Sequence, residues 1–419
     1  MKNLKLLLSV LLVVGLLATM STLMTGCDDD DEPPALTLTS LTAGAIDLNG
    51  AASATGVPVD ATITAVFSTE VDETSVDAIT LTREFDGADY PAEITVAGNT
   101  VTIDPDDNFS TGTLFILDFG AGLTSAGGKT LTEPIERNFT SQGTFAVPGA
   151  IAHWTFEDSA DDIIGDFDPT ATQIVAVTYE AGRKADAGKA ASFNGTTSII
   201  EISNADQLMN NGDWALSLWV KPNSTLGKGQ FVLGLGAFHG FQFEINGAYE
   251  NCKLAASYAH TKPGAEGKFN EDLWVDATGN LGWQGWTFSK DYTASGGFDD
   301  VIKDKWTHVV FVYNAASRTG TAYINGEKAK EQDFDLWPDD SNPRYTTGLS
   351  YKGVAPEVVN ELAFGFIQSR AGTLWDAEPW GSYDQTGANH FHGLLDDVIV
   401  YHKIISEAEI TSMYNSGKP

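Results

Sequence analysis

The pattern of hydrophobic and polar residues along the chain predicts strands almost throughout and very little helix. Its strongest element is the stretch 305–328, where the apolar run 306–313 is followed by a polar turn and by a second run, 321–324. Two such runs joined by a short polar loop are typical of a β-hairpin. The first run is apolar on both faces, so we expect this hairpin in the middle of a β-sandwich and not at its edge.

Other apolar runs of strand length surround this hairpin. They lie near 190–193, 198–202, 214–221, 231–235, 241–245, 249–258, 361–366 and 391–402. One helix is predicted near the C-terminus, because Ser406 and Glu409 form a capping box with Ile405 and Ile410 at the staple positions. Two segments, 261–304 and 332–360, have no clear strand pattern, and we expect them to be long loops.

The N-terminal half has a different pattern, with short strands separated by turns. Alternate positions from 59 to 67 are apolar, which indicates a strand with one buried face, and Gly98-Asn99 joins two further runs as a hairpin. Short strands at regular spacing indicate an immunoglobulin-like sandwich over residues 37–141. This part has no histidine, cysteine or tryptophan. We expect it to be a spacer, joined by a linker at 142–149 to a larger domain at 150–419.

Sequence motifs in both parts resemble known families. In the larger domain these are AHWTFED at 152–158, GKAASFNGTTSIIEI at 188–202, WTHVVFVYN and TAYINGE in the hairpin, and HGLLDDVIVYHKIISEAEITSMY at 392–414. In this order they resemble the laminin-G-like, concanavalin A-like jelly-roll domains. GVPVDATITAVFSTEVD at 56–72 is similar to bacterial Ig-like domains of surface proteins. The resemblance implies an all-β chain: an Ig-like sandwich, then a jelly-roll sandwich with a short C-terminal helix.

The chain is strongly acidic and begins with a targeting segment. It has 24 basic and 57 acidic residues, a net charge of −33, which argues against nucleic acid or an anionic membrane surface as a partner. Lys2 and Lys5 precede a long apolar run, so residues 1–26 are predicted to be a signal peptide. The segment 23–27 resembles a bacterial lipobox, which implies lipidation of Cys27.

Residues 27–36 are predicted to be an acidic tether. The run 28–32 is wholly acidic and stays solvated. It resembles the acidic tag of surface-exported lipoproteins of Bacteroidetes, with a plain flexible tether as the alternative. We therefore expect a lipid-anchored protein of the outer membrane that faces the cell exterior. If Cys27 is acylated, Cys252 is the remaining cysteine, which leaves no intrachain disulfide and no cysteine-based metal site.

Acidic residues cluster at both ends of the larger domain. One cluster follows its first strand at 157–162, and Asp396-Asp397 lies in its last strand. The first and last strands of a jelly roll commonly pair, so the clusters could converge on a calcium ion, which takes six to eight oxygen ligands. Laminin-G-like domains often hold such an ion. The candidate ligands are Asp158, Asp162, Asn194 and Asp397. The alternative is that these acids cap loops by accepting backbone hydrogen bonds.

Tryptophans are frequent in the segments that lack a strand pattern. Sugar rings stack on aromatic planes, and long loops on a rigid sandwich commonly carry binding function. The candidate ligand-binding residues are Trp283, Trp286, Trp337, Arg370, Trp375, Trp380 and Tyr383, in loop regions that also hold Trp274. The alternative is that these aromatic side chains pack the loops onto the core.

No catalytic residue is assigned from the sequence. The E-x-D-x-x-E strand of concanavalin A-like glucanases is absent, and the adjacent acids Asp396 and Asp397 are expected to point to opposite faces of their strand. We expect non-catalytic binding of an extracellular polysaccharide or oligosaccharide, with other surface glycan-uptake proteins as further candidate partners. Two alternatives stay open: a protein-binding adhesion module, and a glycoside hydrolase or lyase.

Overall fold

Strands dominate the protein in this computed structural model, which describes residues 33–50, 52–184, 188–282 and 284–419. The expected signal peptide 1–26, Cys27, the first part of the tether and Trp283 lie outside the described residues. The described strands form four sheets, two in each half of the chain. The all-β prediction is therefore confirmed.

The N-terminal domain is a sandwich of two sheets. Its strands are β1 Leu38–Ala43, β2 Ile46–Asp47, β3 Ala54–Val57, β4 Ile63–Phe67, β5 Ile79–Arg83, β6 Ala92–Ala97, β7 Thr100–Pro105, β8 Leu114–Phe119 and β9 Ile135–Ser141. One sheet has the order β2-β1-β4-β7-β6, and the other has the order β3-β9-β8-β5. The phenylalanines Phe67, Phe115, Phe119 and Phe139 are buried between them. The predicted hairpin at Gly98-Asn99 joins β6 to β7.

The larger domain consists of seventeen described strands. They are β10 Ala150–Trp154, β11 Ile174–Val175, β12 Thr178–Ala181, β13 Lys189–Asn194, β14 Ile199–Ile202, β15 Trp214–Pro222, β16 Gln230–Leu235, β17 Phe241–Ile245, β18 Asn251–His260, β19 Gly267–Asp276, β20 Trp286–Ser289, β21 Thr307–Asn314, β22 Thr319–Ile324, β23 Glu327–Asp333, β24 Thr346–Leu349, β25 Leu362–Phe364 and β26 His392–Tyr401. The described α-helical segments are α1, Asp299–Ile302, and α2, Glu407–Gly417.

These strands form two sheets that enclose one apolar core. The first sheet has the order β12-β13-β26-β15-β21-β22-β23-β20, with β10 paired to β26. The second has the order β11-β14-β25-β16-β17-β18-β19, with β24 paired to β18. The predicted central hairpin is β21 and β22, which lies in the interior of the first sheet as expected.

The prediction of a long loop at 261–304 was wrong, since this segment contains β19 and β20. Strand β19 pairs with β18 along its whole length, from Asn251↔Asp276 to His260↔Gly267. Leu273 and Val275 point into the core, but Glu271 occupies the next inward position and breaks the apolar alternation. A charged residue at an inward position of an edge strand hides the strand from a pattern-based prediction.

Helix α2 and the linker cover the outer face of the first sheet. Ser406 and Glu409 form the predicted capping box, and Ile410 and Met413 are buried. Two residues of the predicted linker, Phe145 and Val147, are buried in the same apolar cluster. Among the described residues, no helix has the length and apolar character needed to cross a membrane.

Candidate functional site

A cavity of about 390 Å³ lies along the edge strand β19. It is lined by Asn270, Glu271, Asp272 and Trp274 of β19 and by Trp286 of β20. Strand β19 is the edge of the second sheet and β20 is the edge of the first, so the cavity opens where the margins of the two sheets meet. We call it the edge groove. Both indoles are half-buried, so each leaves part of its surface exposed.

Strand alternation explains how β19 presents these side chains. Asn270, Asp272 and Trp274 occupy alternate positions and share the face of the sheet that points away from the core. On the neighbouring strand β18, Ala255 lies directly opposite Asp272 and Lys253 lies opposite Trp274. The small side chain of Ala255 does not cover the Asp272 side chain, which is 36% exposed.

Lys253 ties the polar groups of this face together. Its Nζ lies 3.0 Å from Glu244 Oε1 and 2.9 Å from Asp272 Oδ2, and it stands 4.6 Å from the centre of the Trp274 ring. Burial alone would lower the pKa of Lys253, but the two carboxylates outweigh it and raise that pKa above its ordinary value. The lysine therefore stays charged, and two acids share its charge.

A second lysine fixes the orientation of Trp286. The Lys330 side chain is fully buried, and its Nζ lies 3.6 Å from the centre of the Trp286 ring. Lys330 donates to the carbonyl oxygen of Asn280 at 2.6 Å and to Ser289 Oγ at 3.0 Å. A desolvated cation against an indole is worth about 2 kcal/mol or more, so this contact holds the ring in place. The buried Trp286 indole N–H has no hydrogen-bond partner among the described residues.

Glu271 is the inward-facing acid of the groove. It accepts a hydrogen bond from Gln332 Nε2 at 3.3 Å. Burial raises the pKa of Glu271 to about 7, although the Gln332 hydrogen bond opposes the shift. The groove therefore gains negative charge as the pH rises through neutrality.

The aromatic residues predicted between positions 368 and 389 lie in a separate cluster. Trp380 packs against Phe231 with ring centres 5.9 Å apart, and Trp375 lies 4.8 Å from Trp380. Tyr383 packs on the buried Phe366 and donates its hydroxyl to the carbonyl oxygen of Thr197 at 2.5 Å. These rings hold the loop on the outer face of the second sheet, which matches the alternative role considered for them.

Arg370 and Trp337 also have protein partners. Arg370 forms a bidentate pair with Glu201, with Nε at 3.1 Å from Oε1 and Nη2 at 2.6 Å from Oε2. Trp337 packs at the margin of the main core, beside Gly285. Of the predicted ligand-binding residues that the structure describes, Trp286 is the one that lines the edge groove. Trp274, which is not among the predicted ligand-binding residues, also lines it.

Two of the four predicted calcium ligands cap loops. The Asp162 carboxylate accepts from the backbone N–H groups of His153, Ile164 and Gly165 at 2.8, 3.0 and 3.0 Å. Asn194 Oδ1 accepts in the same way from the N–H groups of residues 196, 197 and 198 at 2.9 to 3.1 Å. Both side chains stabilise turns, the alternative considered for the acids of this region.

The acidic pair of the last strand is held by an arginine. Asp397 has a φ of 43° where the pairing of β26 with β15 is irregular, so the carboxylates of Asp396 and Asp397 both reach Arg183. The prediction that they point to opposite faces was wrong, because this bulge reverses the alternation. Arg183 Nη2 lies 2.5 Å from Asp397, whose other oxygen lies 2.8 Å from His153 Nε2. These partners hold the pKa of Asp397 at about 2 although burial would raise it.

The residues predicted for calcium do not fit such an ion in this arrangement. The fourth, Asp158, pairs with Lys189 at 2.6 Å, and both side chains are largely exposed. In the described part of the chain, no three His, Cys, Asp or Glu side chains are grouped as metal ligands. The positive charge that compensates Asp396 and Asp397 is the Arg183 guanidinium. Calcium therefore stays a prediction, with no step of the proposed function depending on it.

Comparisons with known families agree with the two-domain architecture. Residues 30–141 match the bacterial Ig-like domain, and residues 194–357 match the concanavalin A-like lectin/glucanases superfamily. The second match contains β19, β20 and hence the whole edge groove. No curated protein matches the chain.

Many solved structures match the chain at low sequence identity. The binding domain of Paraclostridial Mosquitocidal Protein 1 is 15% identical with a TM-score of 0.41, over 64% of this chain and 52% of that one. The botulinum neurotoxin serotype D ligand binding domain, solved with N-acetylneuraminic acid, is 12% identical with a TM-score of 0.37, over 64% and 50%. The chain thus spans about half the length of these toxin domains.

A third similar structure is aligned over nearly its whole length. It is domain 4 of AbnA, a GH43 extracellular arabinanase from Geobacillus stearothermophilus, in complex with arabinotriose; it is 18% identical with a TM-score of 0.36, over 64% of this chain and 98% of that one. Taken together, the family matches and the sheet topology show that the chain carries a bacterial Ig-like domain followed by a domain of the concanavalin A-like lectin/glucanase superfamily.

Proposed function

We propose that the larger domain binds carbohydrate in the edge groove, without a catalytic step, and that the protein is displayed outside the cell on a lipid attached to Cys27. The observation that carries the proposal is the pair Trp274 and Trp286, which flank one cavity together with the polar side chains of Asn270 and Asp272. Apolar walls with a few placed polar groups are typical of sites for small ligands. Sugar rings match them, since their C–H faces stack on indoles and their hydroxyl groups bond to amides and carboxylates.

The rigidity of the two rings supports this role. Lys253 lies against Trp274 and Lys330 lies against Trp286, so both indoles are oriented before a ligand arrives. Groups that are already ordered lose little conformational entropy on binding. By contrast, Trp375 and Trp380 pack against each other and against the sheet, which is the role of aromatic side chains that hold a loop on the core.

Affinity electrophoresis of the full chain on a panel of soluble polysaccharides tests the proposal, with Cys27→Ser to prevent acylation. We expect at least one polysaccharide to retard the protein. Trp274→Ala and Trp286→Ala should each weaken that binding about tenfold to a hundredfold, because each removes an apolar contact worth about 1.5–3 kcal/mol. Trp306→Ala is the matched control, since this half-buried tryptophan lies outside the lining of the groove.

Two results would contradict the proposal. Retardation by no polysaccharide would remove it, and so would retardation that Trp274→Ala and Trp286→Ala leave unchanged. Release of reducing ends or unsaturated products from a bound polysaccharide would instead favour the hydrolase or lyase alternative.

A further inference from the structure

The charges around the edge groove restrict the kind of glycan that it can hold. On the face formed by β17, β18 and β19, the carboxylates of Glu244 and Asp272 flank the ammonium group of Lys253. The Asp272 side chain is 36% exposed and Lys253 is 16% exposed. A ligand therefore meets the carboxylate before it meets the cation, and Glu271 adds a second acid to the same lining.

The other lysines next to the groove already have hydrogen-bond partners, including the exposed Lys268, which donates to the carbonyl oxygen of Tyr351. Lys330 lies beneath Trp286 with its side chain fully buried, and pairs with Asp276 at 3.3 Å. Lys352 donates to the side-chain oxygen of Asn270, and burial together with the nearby Lys268 lowers the pKa of Lys352. An anionic ligand would have to displace the Asn270 contact of Lys352, or take Lys330 from Asp276 and leave that carboxylate without its cation, which is costly.

The side chains without hydrogen-bond partners on this face and beside the groove offer both acceptors and donors. Gln242 lies in the same cross-strand row as Ala255 and Asp272, and its side-chain Oε1 is buried without a hydrogen-bond partner among the described residues. Its amide nitrogen lies 3.4 Å from Glu244 Oε2. The Ser257 hydroxyl and the Trp286 indole N–H also have no partner among the described residues. Hydroxyl groups of a ligand both donate and accept, so they match this mixture, whereas carboxylate and sulfate groups only accept.

We infer that the groove selects neutral, hydroxyl-rich glycans and excludes polymers that carry uronate carboxylates or sulfate groups. This inference rests on the proposed function and adds the class of glycan to it. The net charge of −33 acts in the same direction at long range. Screening limits that effect to about 8 Å at physiological ionic strength, so the groups lining the groove decide the selectivity.

The test compares three polymer classes by affinity electrophoresis at pH 7.5: neutral, uronate-containing and sulfated polysaccharides of similar size, each at 20 and 300 mM NaCl. We expect the neutral class to contain the ligand, with binding that depends on Trp274 and changes little with salt. The acidic classes should bind at least tenfold more weakly at either salt concentration, because raising the salt screens repulsion without creating a cationic contact.

A charge-reduced variant gives the complementary measurement. Glu244→Gln with Asp272→Asn leaves Lys253 without its two carboxylates while keeping the size of both side chains. We expect this variant to bind the uronate polymer at least tenfold more strongly than the parent chain, and the gain should disappear at 300 mM NaCl. Asp272→Asn alone is the milder form and should show a smaller gain; circular dichroism confirms that both variants are folded.

The outcomes separate the inference from the proposed function. Binding of a uronate or sulfated polymer that is as strong as binding of the neutral one, and that is lost in Trp274→Ala, would overturn the inference and leave carbohydrate binding intact. An unchanged affinity of the double variant for the uronate polymer would also count against it. Retardation by no polymer of any class would overturn both.

Discussion

Two cavities of nearly equal volume, about 380 and 390 Å³, are built from the same kinds of residues but differ in which of them solvent can reach. In the first, beside β10 and β26, Arg183 lies 4.8 Å from the centre of the Trp219 ring and contacts Asp396 and Asp397. In the second, the edge groove, Lys253 lies 4.6 Å from Trp274 and contacts two carboxylates. A cation against an indole and a pair of acids therefore lie in or beside the wall of each cavity.

The difference lies in which groups solvent can reach. The Arg183 side chain is 0% exposed, and its planar group, with five donors in a fixed fork, is occupied by two aspartates and the carbonyl oxygen of Gly417. In the edge groove, Asp272 and both indoles remain accessible. The first arrangement engages its groups within the protein, and the second leaves groups exposed, as the proposed binding role requires. Residue types alone do not distinguish the two; burial does.

Replacing Arg183 should give the largest effect on stability. Arg183→Met leaves Asp396 and Asp397 buried without a cation, and breaking a buried pair in this way costs about 3–5 kcal/mol. Urea unfolding followed by tryptophan fluorescence measures it. All ten tryptophans lie in residues 150–419, so the signal reports on this domain alone. Carbohydrate affinity of the folded protein should stay within twofold. A loss of stability below about 1 kcal/mol would contradict the structural role of the first cavity. A large loss of carbohydrate affinity would mean that this cavity also contributes to binding.

Glu271 should make stability fall as the pH rises. Its pKa is about 7 in the folded protein against an ordinary value of 4.5, so the folded state holds a proton that the unfolded state has lost between these values. The stabilisation is present in full below pH 4.5 and is lost as the pH rises through 7. The difference is at most about 3 kcal/mol.

Glu271→Gln isolates this contribution from the other titrating groups. Urea unfolding at pH 5 and pH 8 should show that the parent chain loses more stability over this interval than the variant, which has no proton to lose. Parallel losses in the two proteins would mean that Glu271 is solvated, and the inward position assigned to it would be wrong.

Trp380 and Trp274 should respond in opposite ways to truncation. Trp380 is half-buried against Phe231 and Trp375, so Trp380→Ala should cost about 2 kcal/mol of stability, less than the 3–5 kcal/mol of a fully buried ring. It should leave carbohydrate affinity unchanged. Trp274→Ala should instead weaken carbohydrate binding and leave stability nearly unchanged. Urea unfolding and affinity electrophoresis of both variants measure the two effects. Equal losses of affinity would show that the loop cluster also takes part in binding.

The central fold was predictable because its strands are buried on both faces or alternate cleanly. Strands β21 and β22 and the capping box of α2 follow from local patterns alone. Strand β19 was missed, since Glu271 faces inward and Trp274 faces outward, which interrupts the alternation of apolar and polar positions. The proposed site lies on the strand whose pattern is irregular, because side chains placed to contact a ligand depart from the pattern of a core.

The local sequence does not predict whether a tryptophan lines the edge groove or packs a loop onto the sheet. Trp286 and Trp380 both follow a glycine or proline in a segment without apolar periodicity. Their different surroundings come from long-range pairing: β20 joins β23 at the edge of the first sheet, while Trp380 meets Phe231 of β16. The bulge at Asp397 is likewise a tertiary feature, since the adjacent pair Asp396-Asp397 alone predicts opposite faces.

The smallest effect should come from replacing Lys189, whose exposed partner Asp158 is one of the predicted calcium ligands. Its Nζ lies 2.6 Å from Asp158, but the side chains are 44% and 65% exposed, so the pair contributes about 0–1 kcal/mol. Lys189→Met should therefore lower stability by less than 1 kcal/mol in chelator. Removing the ammonium group also frees the Asp158 carboxylate. If Asp158 were a calcium ligand, 1 mM calcium should raise the melting temperature of Lys189→Met by more than that of the parent chain. If calcium raises the melting temperatures of the parent chain, Lys189→Met and Asp158→Asn equally, Asp158 is not a calcium ligand. Arg183 then remains the cation that compensates the acids at this end of the sandwich.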